Sequence, residues 1–249
     1  MNRRALIIAN PGEQGKAGYC HGVNRDVDNY KAFLKSPIGG LWREDEIIVR
    51  HQPSRAMTTI DITQQRRADY SVTVFCGHGY HSAAADSTII ELTGGVDIDS
   101  SELRVGAPKH TLILDCCRVV HKEMFVEDSA ARVFKRTAST IDPDACRRCY
   151  DHEIDECAVG IVVLYGCSVN QTAGDSDLRG GFYSHSLISA AQAWGRDSIV
   201  DTSKNYRRLS VVKAHELALP GVAKMSGGRQ SPTVDKPRSA PYFPFCVIA

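Results

Sequence analysis

Short segments dominated by aliphatic residues recur along the chain and constrain its fold more than any other feature. Five of them have the length and composition of buried strands: 5–10 (ALIIAN), 46–51 (EIIVRH), 70–77 (YSVTVFCG), 111–116 (TLILDC) and 160–167 (GIVVLYGC). Near-continuous valine, isoleucine and leucine are typical of strands covered on both faces, as in a parallel sheet. Longer amphipathic segments separate these runs. The sequence therefore predicts an α/β protein in which helices flank a mostly parallel central sheet of about six strands.

The segments between the strands contain further helix and strand signals. The apolar spacing of amphipathic helices occurs in 24–36, 180–195 and 201–219, and a fourth helix is predicted near 121–136. We expect Asn24 to cap the first helix, and Asp201 or Thr202 to cap the third. A loop rich in proline and glycine then leads to a short final strand near 243–248. The segment 118–158 mixes charged residues, serine and threonine, and we interpret it as a flexible excursion from the sheet.

Composition and charge exclude several classes of function. Among the 249 residues, 30 are basic and 29 acidic, so the formal charge is +1 and nucleic acid is not an expected partner. The nine cysteines are odd in number, which favours a reducing compartment over a complete set of disulfides. Only six residues, Ala5 to Asn10, form the first apolar run, too few for a signal peptide or a membrane span. We therefore expect a cytoplasmic protein with no membrane association.

Two of the predicted strands end in chemically reactive residues. The stretch FCGHG places His78 between two glycines directly after a strand, and LILDCCR places Cys116 and Cys117 at the end of another. Parallel strands present their carboxyl ends at one edge of a sheet, where the ligand sites of α/β proteins gather. The alternative interpretation is that His78 is a loop histidine with no catalytic role, and that Cys116 and Cys117 are small apolar side chains that fill the core.

A cysteine peptidase requires little more than such a pair. The sulfur attacks a carbonyl carbon, and a histidine supplies a proton to the departing amine. Backbone N–H groups beside the nucleophile hold the oxyanion that develops. The candidates in this chain are His78 and Cys117, with the amides of Gly79 and Cys117 as oxyanion donors.

The same two stretches together resemble the caspase-like cysteine peptidases, above all the metacaspases and bacterial orthocaspases. In those proteins one strand ends in S-G-H-G and a later strand ends in D-x-C, whose last residue is the nucleophile. This register selects Cys117 over Cys116, which is left as core filler. Further stretches are similar to family segments in the same order along the chain: 21–34, 164–176, 180–188 and 229–245. The resemblance implies a caspase-like sandwich.

The resemblance also implies a pocket that accepts Arg or Lys at the residue before the scissile bond, the P1 residue. The two acids of that pocket match Asp26 and Asp115, while Cys76 stands where the family has a pocket-lining serine. Two carboxylates at the base of a narrow pocket bind a guanidinium or an ammonium group and repel an acidic side chain. Without the resemblance, Asp26 would be read as a first-turn helix acid and Asp115 as a strand-end acid.

The calcium loop of many metacaspases is missing from the sequence. Segment 80–103 retains Asp97, Asp99 and Glu102, but it lacks the dense run of carboxylates that would supply six to eight oxygens to Ca²⁺. We therefore expect no calcium requirement.

A cysteine- and histidine-containing segment raises the question of zinc. Cys146-x-x-Cys149, Cys157, His121 and His152 include one C-x-x-C and no second pair. Reduced cysteines in a flexible segment are the favoured interpretation, so no metal or cofactor is expected.

The resemblance suggests a division of the chain. We predict one catalytic domain, 1–249, made of a large-subunit-like core (1–117), the excursion as a processing region (118–158) and a small-subunit-like portion (159–249). Cleavage after Arg136 or Arg148 would separate the two portions. The alternative is that these arginines are solvated surface residues.

These observations predict a cysteine endopeptidase that acts on proteins or peptides with a basic P1 residue. By analogy with stand-alone family members, we expect a regulated bacterial-type protease of a defence or cell-death pathway, switched on by a separate activator protein. The alternative function is a catalytically silent caspase-like adaptor. The presence of both His78 and Cys117 argues against the adaptor.

Overall fold

A six-stranded sheet forms the centre of the computed structural model, which describes residues 1–120, 141–197, 201 and 203–249. In spatial order its strands are β12 (Thr233–Asp235), β8 (Gly160–Tyr165), β7 (Lys109–Cys116), β3 (Tyr70–Gly77), β1 (Arg3–Asn10) and β2 (Ile47–His51). The strands β2, β1, β3, β7 and β8 are mutually parallel, and β12 at the edge is antiparallel to β8. The predicted α/β architecture with about six mostly parallel strands is confirmed.

Both faces of this sheet are covered, which explains the continuous aliphatic runs. Along β1 the side chains alternate between two cores, with Ile7 in one and Leu6 and Ile8 in the other. The first core is closed by four helices: α1 (Val23–Lys35), α3 (Pro143–Asp155), α4 (Phe182–Asp197) and α5 (Val211–Met225). The second is closed by α2 (Arg55–Gln65) and a small antiparallel sheet of β4 (Gly79–Ser82), β5 (Ser87–Thr93) and β6 (Val96–Asp99).

Two further pairs of strands are short and antiparallel. One is the hairpin of β9 (Asp175–Ser176) and β10 (Gly180–Gly181); the other joins β11 (Arg207–Ser210) to β13 (Pro244–Ile248). The final strand predicted near 243–248 is therefore confirmed. Because Gly180 and Gly181 belong to β10, α4 begins two residues later than the sequence predicted.

The predicted helix at 201–219 is wrong in its first half. Residues 207–210 are extended because they pair with β13, and the helix that follows runs on to Met225. Ser210 caps it by accepting a hydrogen bond from the Lys213 N–H at 3.2 Å. Pro220 lies inside this helix without ending it. Pairing with a distant strand is not visible in local periodicity, which accounts for the error.

The predicted cap of the first helix is also wrong. α1 begins at Val23 with Gly22 at the cap position, and no side chain caps it. The Asn24 amide donates instead to the Tyr19 hydroxyl at 3.3 Å.

The prediction of a flexible excursion over 118–158 fails for α3. Asp142 caps this helix by accepting from the N–H groups of Asp144 and Ala145, and Pro143 occupies its first turn. The helix has a charged outer face and, on the opposite face, a stripe of apolar residues at helical spacing that is buried. The buried side chains of this region include three cysteines: Cys146, Cys149 and Cys157. The helix predicted near 121–136, together with Thr202, lies outside the described residues.

Candidate active site

The carboxyl ends of β3 and β7 lie side by side. In the parallel register Gly77 pairs with Cys116, so His78 and Cys117 are the first residues beyond two paired strand ends. A cleft opens there with a volume of about 480 Å³, part of it open to solvent. Its lining residues are Cys20, Val23, Asp26, Gly77, His78, Asp115, Cys117, Ala173, Gly174, Asp175 and Gly181. The structure thus brings together four of the six residues that the sequence assigned to catalysis and to the P1 pocket: Asp26, His78, Asp115 and Cys117.

Cys117 is one of two half-buried thiols that line this cleft; the other is Cys20. Its sulfur accepts a hydrogen bond from the Ala173 N–H at 3.3 Å and lies 3.7 Å from the Ala173 carbonyl oxygen. Burial raises the pKa of the Cys117 thiol, and the Ala173 amide opposes that shift. The resting sulfur is therefore protonated at neutral pH, and attack on a carbonyl requires a base within reach.

Cys116 has the opposite orientation. It is 1% exposed and belongs to the second core, against α2 and the small sheet. Burial raises the pKa of its thiol well above the ordinary value. The prediction that Cys116 fills the core is confirmed.

His78 lies against Cys20, which the sequence did not single out. The Cys20 sulfur is 3.8 Å from Nδ1 and 3.7 Å from Nε2 of the ring. Equal distances to both nitrogens describe packing of the sulfur on the ring rather than one directed hydrogen bond. Among the residues that the structure describes, no hydrogen bond joins His78 to Cys117. Catalytic contacts of this kind often tighten only when substrate is bound.

Another residue of the loop before α1, Gly12, also lies close to the His78 ring. Gly12 has a φ of +85°, and a Cβ at this position would lie 2.7 Å from His78 Nε2. Gly12 is therefore required both by the backbone conformation and by the close approach of the ring.

Asp26 and Asp115 form the floor of the cleft, and both are buried, at 2% and 6% exposure. The Gly181 N–H donates to both oxygens of Asp26, and Ser184 donates to Asp115 from its N–H at 2.9 Å and its hydroxyl at 2.6 Å. Burial raises the pKa of both carboxyl groups, to about 6 for Asp115, and the nearby Asp115 charge raises that of Asp26 further. No ion pair between described residues includes either acid.

A third acid, Asp175, also lines the cleft and was missed by the sequence analysis. Its Oδ2 accepts a hydrogen bond from the Gly22 N–H at 2.7 Å, which ties the β9–β10 hairpin to the start of α1. Burial raises the pKa of this carboxyl group. Its only sequence signal is its place in the stretch 164–176, which is similar to a family segment.

Two predicted site residues lie outside the lining of the cleft. Cys76 is 1% exposed and packs in the first core, with its sulfur 3.9 Å from the Ser184 hydroxyl, so it stands behind the pocket wall. Gly79 begins β4 and pairs with Ile90 of β5. A Cβ on Gly79 would lie 2.8 Å from the Cys116 sulfur, so the backbone passes closely over that side chain.

The predicted processing sites are not equivalent in the structure. Arg148 lies within α3, where a helical backbone cannot enter a protease cleft without unfolding. Arg136 lies outside the described residues. In the described part of the chain, no group of three or more His, Cys, Asp or Glu side chains is arranged to hold a metal ion. Nor does any described helix have the length and apolar character needed to span a membrane.

The caspase-domain family model matches residues 2–242, nearly the whole chain. The chain belongs to the caspase-domain family. The crystal structure of caspase-1 from Spodoptera frugiperda is similar to this fold, with a TM-score of 0.58 at 12% identity, covering 94% of this chain and 86% of that chain. No curated protein sequence matches the chain. Caspase-domain proteins are cysteine-type endopeptidases, and the chain is assigned to that class on its family membership.

Proposed function

We propose that this caspase-domain protein hydrolyses peptide bonds after arginine or lysine, with Cys117 as the nucleophile and His78 as the acid/base. The observation that carries the proposal is a pair of buried carboxylates, Asp26 and Asp115, on the floor of the same cleft as Cys117. Buried charges are costly unless an opposite charge compensates them. A guanidinium or ammonium group of the substrate supplies that compensation.

The proposed chemistry follows from the groups in the cleft. His78 takes the proton of the Cys117 thiol, the sulfur attacks the carbonyl carbon, and the imidazolium gives the proton to the leaving amine. Water then adds to the thioester, with His78 as the base, and releases the acid product. Asp175 at the cleft wall adds a third negative charge toward a basic substrate.

Strand pairing supports the amide of Gly79 as an oxyanion donor. The Glu91 N–H donates to the His78 carbonyl at 3.0 Å, and hydrogen-bonded and non-hydrogen-bonded pairs alternate along antiparallel strands. The Gly79–Ile90 pair is therefore non-hydrogen-bonded, and the Gly79 N–H points away from β5. His81, two residues on, points its N–H the same way and donates to the Val119 carbonyl at 3.0 Å. The Gly79 N–H thus faces the segment that begins at Cys117, whose own amide is the second proposed donor.

The resemblance to metacaspases and orthocaspases supports the biological part of the proposal. We propose that the protein is a regulated bacterial-type protease of the cytoplasm, in a defence or cell-death pathway, with a separate protein as activator. The contact between His78 and Cys20 fits a resting enzyme, because the acid/base is not yet hydrogen-bonded to the nucleophile.

Fluorogenic peptides that differ only at P1 test the proposal. We expect hydrolysis after Arg and Lys and none after Asp or Ala, and we expect Cys117→Ala and His78→Ala to abolish it. Cys116→Ala and Cys20→Ala are the matched thiol controls, and neither should abolish hydrolysis. Hydrolysis that survives Cys117→Ala but is lost in Cys20→Ala would show that the nucleophile is Cys20 and that the assignment to Cys117 is wrong. Wild type inactive on every peptide, with an unreactive Cys117, would favour the adaptor.

A further inference from the structure

The segment that follows β8 comes back to the sulfur of Cys117. Ala173 directs its backbone N–H at that sulfur, with a nitrogen-to-sulfur distance of 3.3 Å. An N–H donor stabilises a thiolate more than a neutral thiol, so this contact favours the reactive form. The position of one loop amide therefore bears directly on the reactivity of Cys117.

A side chain from a distant part of the chain holds this loop in place. Gln230 is 2% exposed, and its Oε1 accepts a hydrogen bond from the N–H of Gly174, the residue next to Ala173, at 3.0 Å. Its Nε2 donates to the Gly166 carbonyl at 2.8 Å. Both ends of the buried amide are thus used within the same loop.

Gly166 connects this arrangement to the strand that carries the nucleophile. The Gly166 N–H donates to the carbonyl of Leu114 on β7 at 2.7 Å, three residues before Cys117. Gln230 therefore links the loop to the same rigid frame from which the sulfur projects. A shift of Gly174 relative to that frame would carry the Ala173 N–H away from the sulfur.

The residues around Gln230 fix its own position. Its N–H donates to the Ser226 hydroxyl at 3.2 Å, at the end of α5. The next residue, Ser231, donates its N–H to Gln171 Oε1 at 2.8 Å and accepts a hydrogen bond from the Ser168 hydroxyl at 2.8 Å. The segment after α5 is thus hydrogen-bonded along the loop, and Gln230 contacts Gly174, the residue next to Ala173.

We propose that Gln230 is a positioning residue that holds the Ala173 N–H on the sulfur of Cys117 and so sets the reactivity of the nucleophile. The inference rests on the proposed role of Cys117. It extends that role to a side chain that touches neither the substrate nor the sulfur. Loss of the Gln230 side-chain amide leaves the Gly174 N–H and the Gly166 carbonyl without their hydrogen-bond partners, and the loop then moves away from the Cys117 sulfur.

The test measures the reactivity of Cys117 without a peptide substrate. Iodoacetamide labelling of Cys117 in the full chain, followed by peptide mapping between pH 6 and 9, gives a labelling rate that is proportional to the thiolate fraction below the pKa of the thiol. We expect Gln230→Met and Gln230→Leu to lower this rate about tenfold across that range, the equivalent of one hydrogen bond to a charged group. Ser231→Ala is the matched control, because its hydroxyl contacts only Gln171 among these groups, at 3.5 Å, and it should leave the profile unchanged.

The outcomes separate positioning from a purely structural role. A lower melting temperature with an unchanged labelling profile in either apolar variant overturns the proposal. Hydrogen exchange of the 171–176 segment in wild type provides a second measurement, independent of whether the variants fold. The proposal requires slow exchange there, and exchange at the rate of an open loop overturns it. If no peptide is cleaved while the labelling profile shifts as expected, the proposed substrate is wrong and the role of Gln230 stands.

Discussion

The backbone N–H of Gly181 donates to both carboxylate oxygens of Asp26, at 3.0 and 2.9 Å. A Cβ on Gly181 would lie 2.4 Å from Asp115 Oδ2 and 3.1 Å from Asp26 Oδ2. Asp26 and Asp115 therefore approach the backbone of Gly181 from two different elements. They can do so because glycine has no side chain. The floor of the cleft depends on this glycine as much as on the acids.

Gly181→Ala should displace one or both carboxylates. We expect kcat/KM on Arg peptides to fall at least tenfold and the free energy of unfolding to fall by about 1–3 kcal/mol, as for other overpacked sites. Activity assays and denaturant unfolding measure the two effects. Gly195→Ala in α4 is the matched control, because its Cβ would meet atoms no closer than 3.5 Å. It should leave activity unchanged and stabilise the helix slightly. Equal activity in the two variants would contradict this account of the floor.

Cleavage after arginine should weaken as the floor acids become protonated. Burial raises the pKa of Asp115 from its ordinary value to about 6, so its charge is present above that pH and is lost below it. We expect kcat/KM on Arg peptides to fall as the pH drops through 6, mainly through KM. Asp115→Asn should reduce kcat/KM at pH 7.5 by about 100-fold, the value of a hydrogen-bonded charge pair, and should remove this inflection. An Asn variant with the wild-type pH profile would show that another group titrates.

Acid should destabilise the fold through a buried histidine far from the cleft. His110 is 1% exposed, with Nδ1 2.7 Å from the Ser71 hydroxyl and Nε2 3.0 Å from the Leu103 carbonyl. Burial lowers its pKa to about 4. Because the unfolded chain takes up this proton near pH 6.5, the stabilisation is complete above 6.5 and is lost as the pH falls toward 4. The loss reaches about 3 kcal/mol at most.

Urea unfolding of wild type and His110→Asn at pH 7, 6 and 5 isolates this effect. Other titrating groups, including Asp115 with its opposite sign, are common to both proteins, so the difference between their pH slopes belongs to His110. We expect the variant to be less stable at pH 7 and less sensitive to acid. Parallel pH profiles for the two proteins would rule out a buried neutral His110.

Removal of calcium should leave activity unchanged. The three acids that remain where metacaspases bind calcium have protein partners: Asp97 accepts from the Tyr80 hydroxyl, Asp99 from the Ser87 hydroxyl, and Glu102 pairs with Arg55. Peptide hydrolysis in excess EGTA and in added CaCl₂ should agree within twofold. Activity that appears only with added calcium would show that the prediction is wrong.

The strands and the two strand-end residues could be predicted because their signals are local. Aliphatic runs such as 111–116 report burial on both faces, and a histidine or cysteine directly after such a run falls at the carboxyl edge of a parallel sheet. That β3 and β7 are adjacent, with Gly77 paired to Cys116, is seen only in the structure, and it makes His78 and Cys117 neighbours at that edge. The alternation of side chains along β7 separates Cys116 from Cys117.

Cys20, Asp175 and Gln230 could not be found in the same way. Each lies in a loop, a short hairpin or a distant segment that packs against the cleft or against the loop beside it. Hydrophobic periodicity does not mark a residue of this kind, because its contacts are with a strand end that is remote in sequence. The burial of α3 was missed for a related reason, since its charged outer face dominates its composition. The sequence by itself determined the five parallel strands of the central sheet and the residues at their carboxyl ends. The tertiary structure decided which loops close over those ends, because that depends on long-range packing.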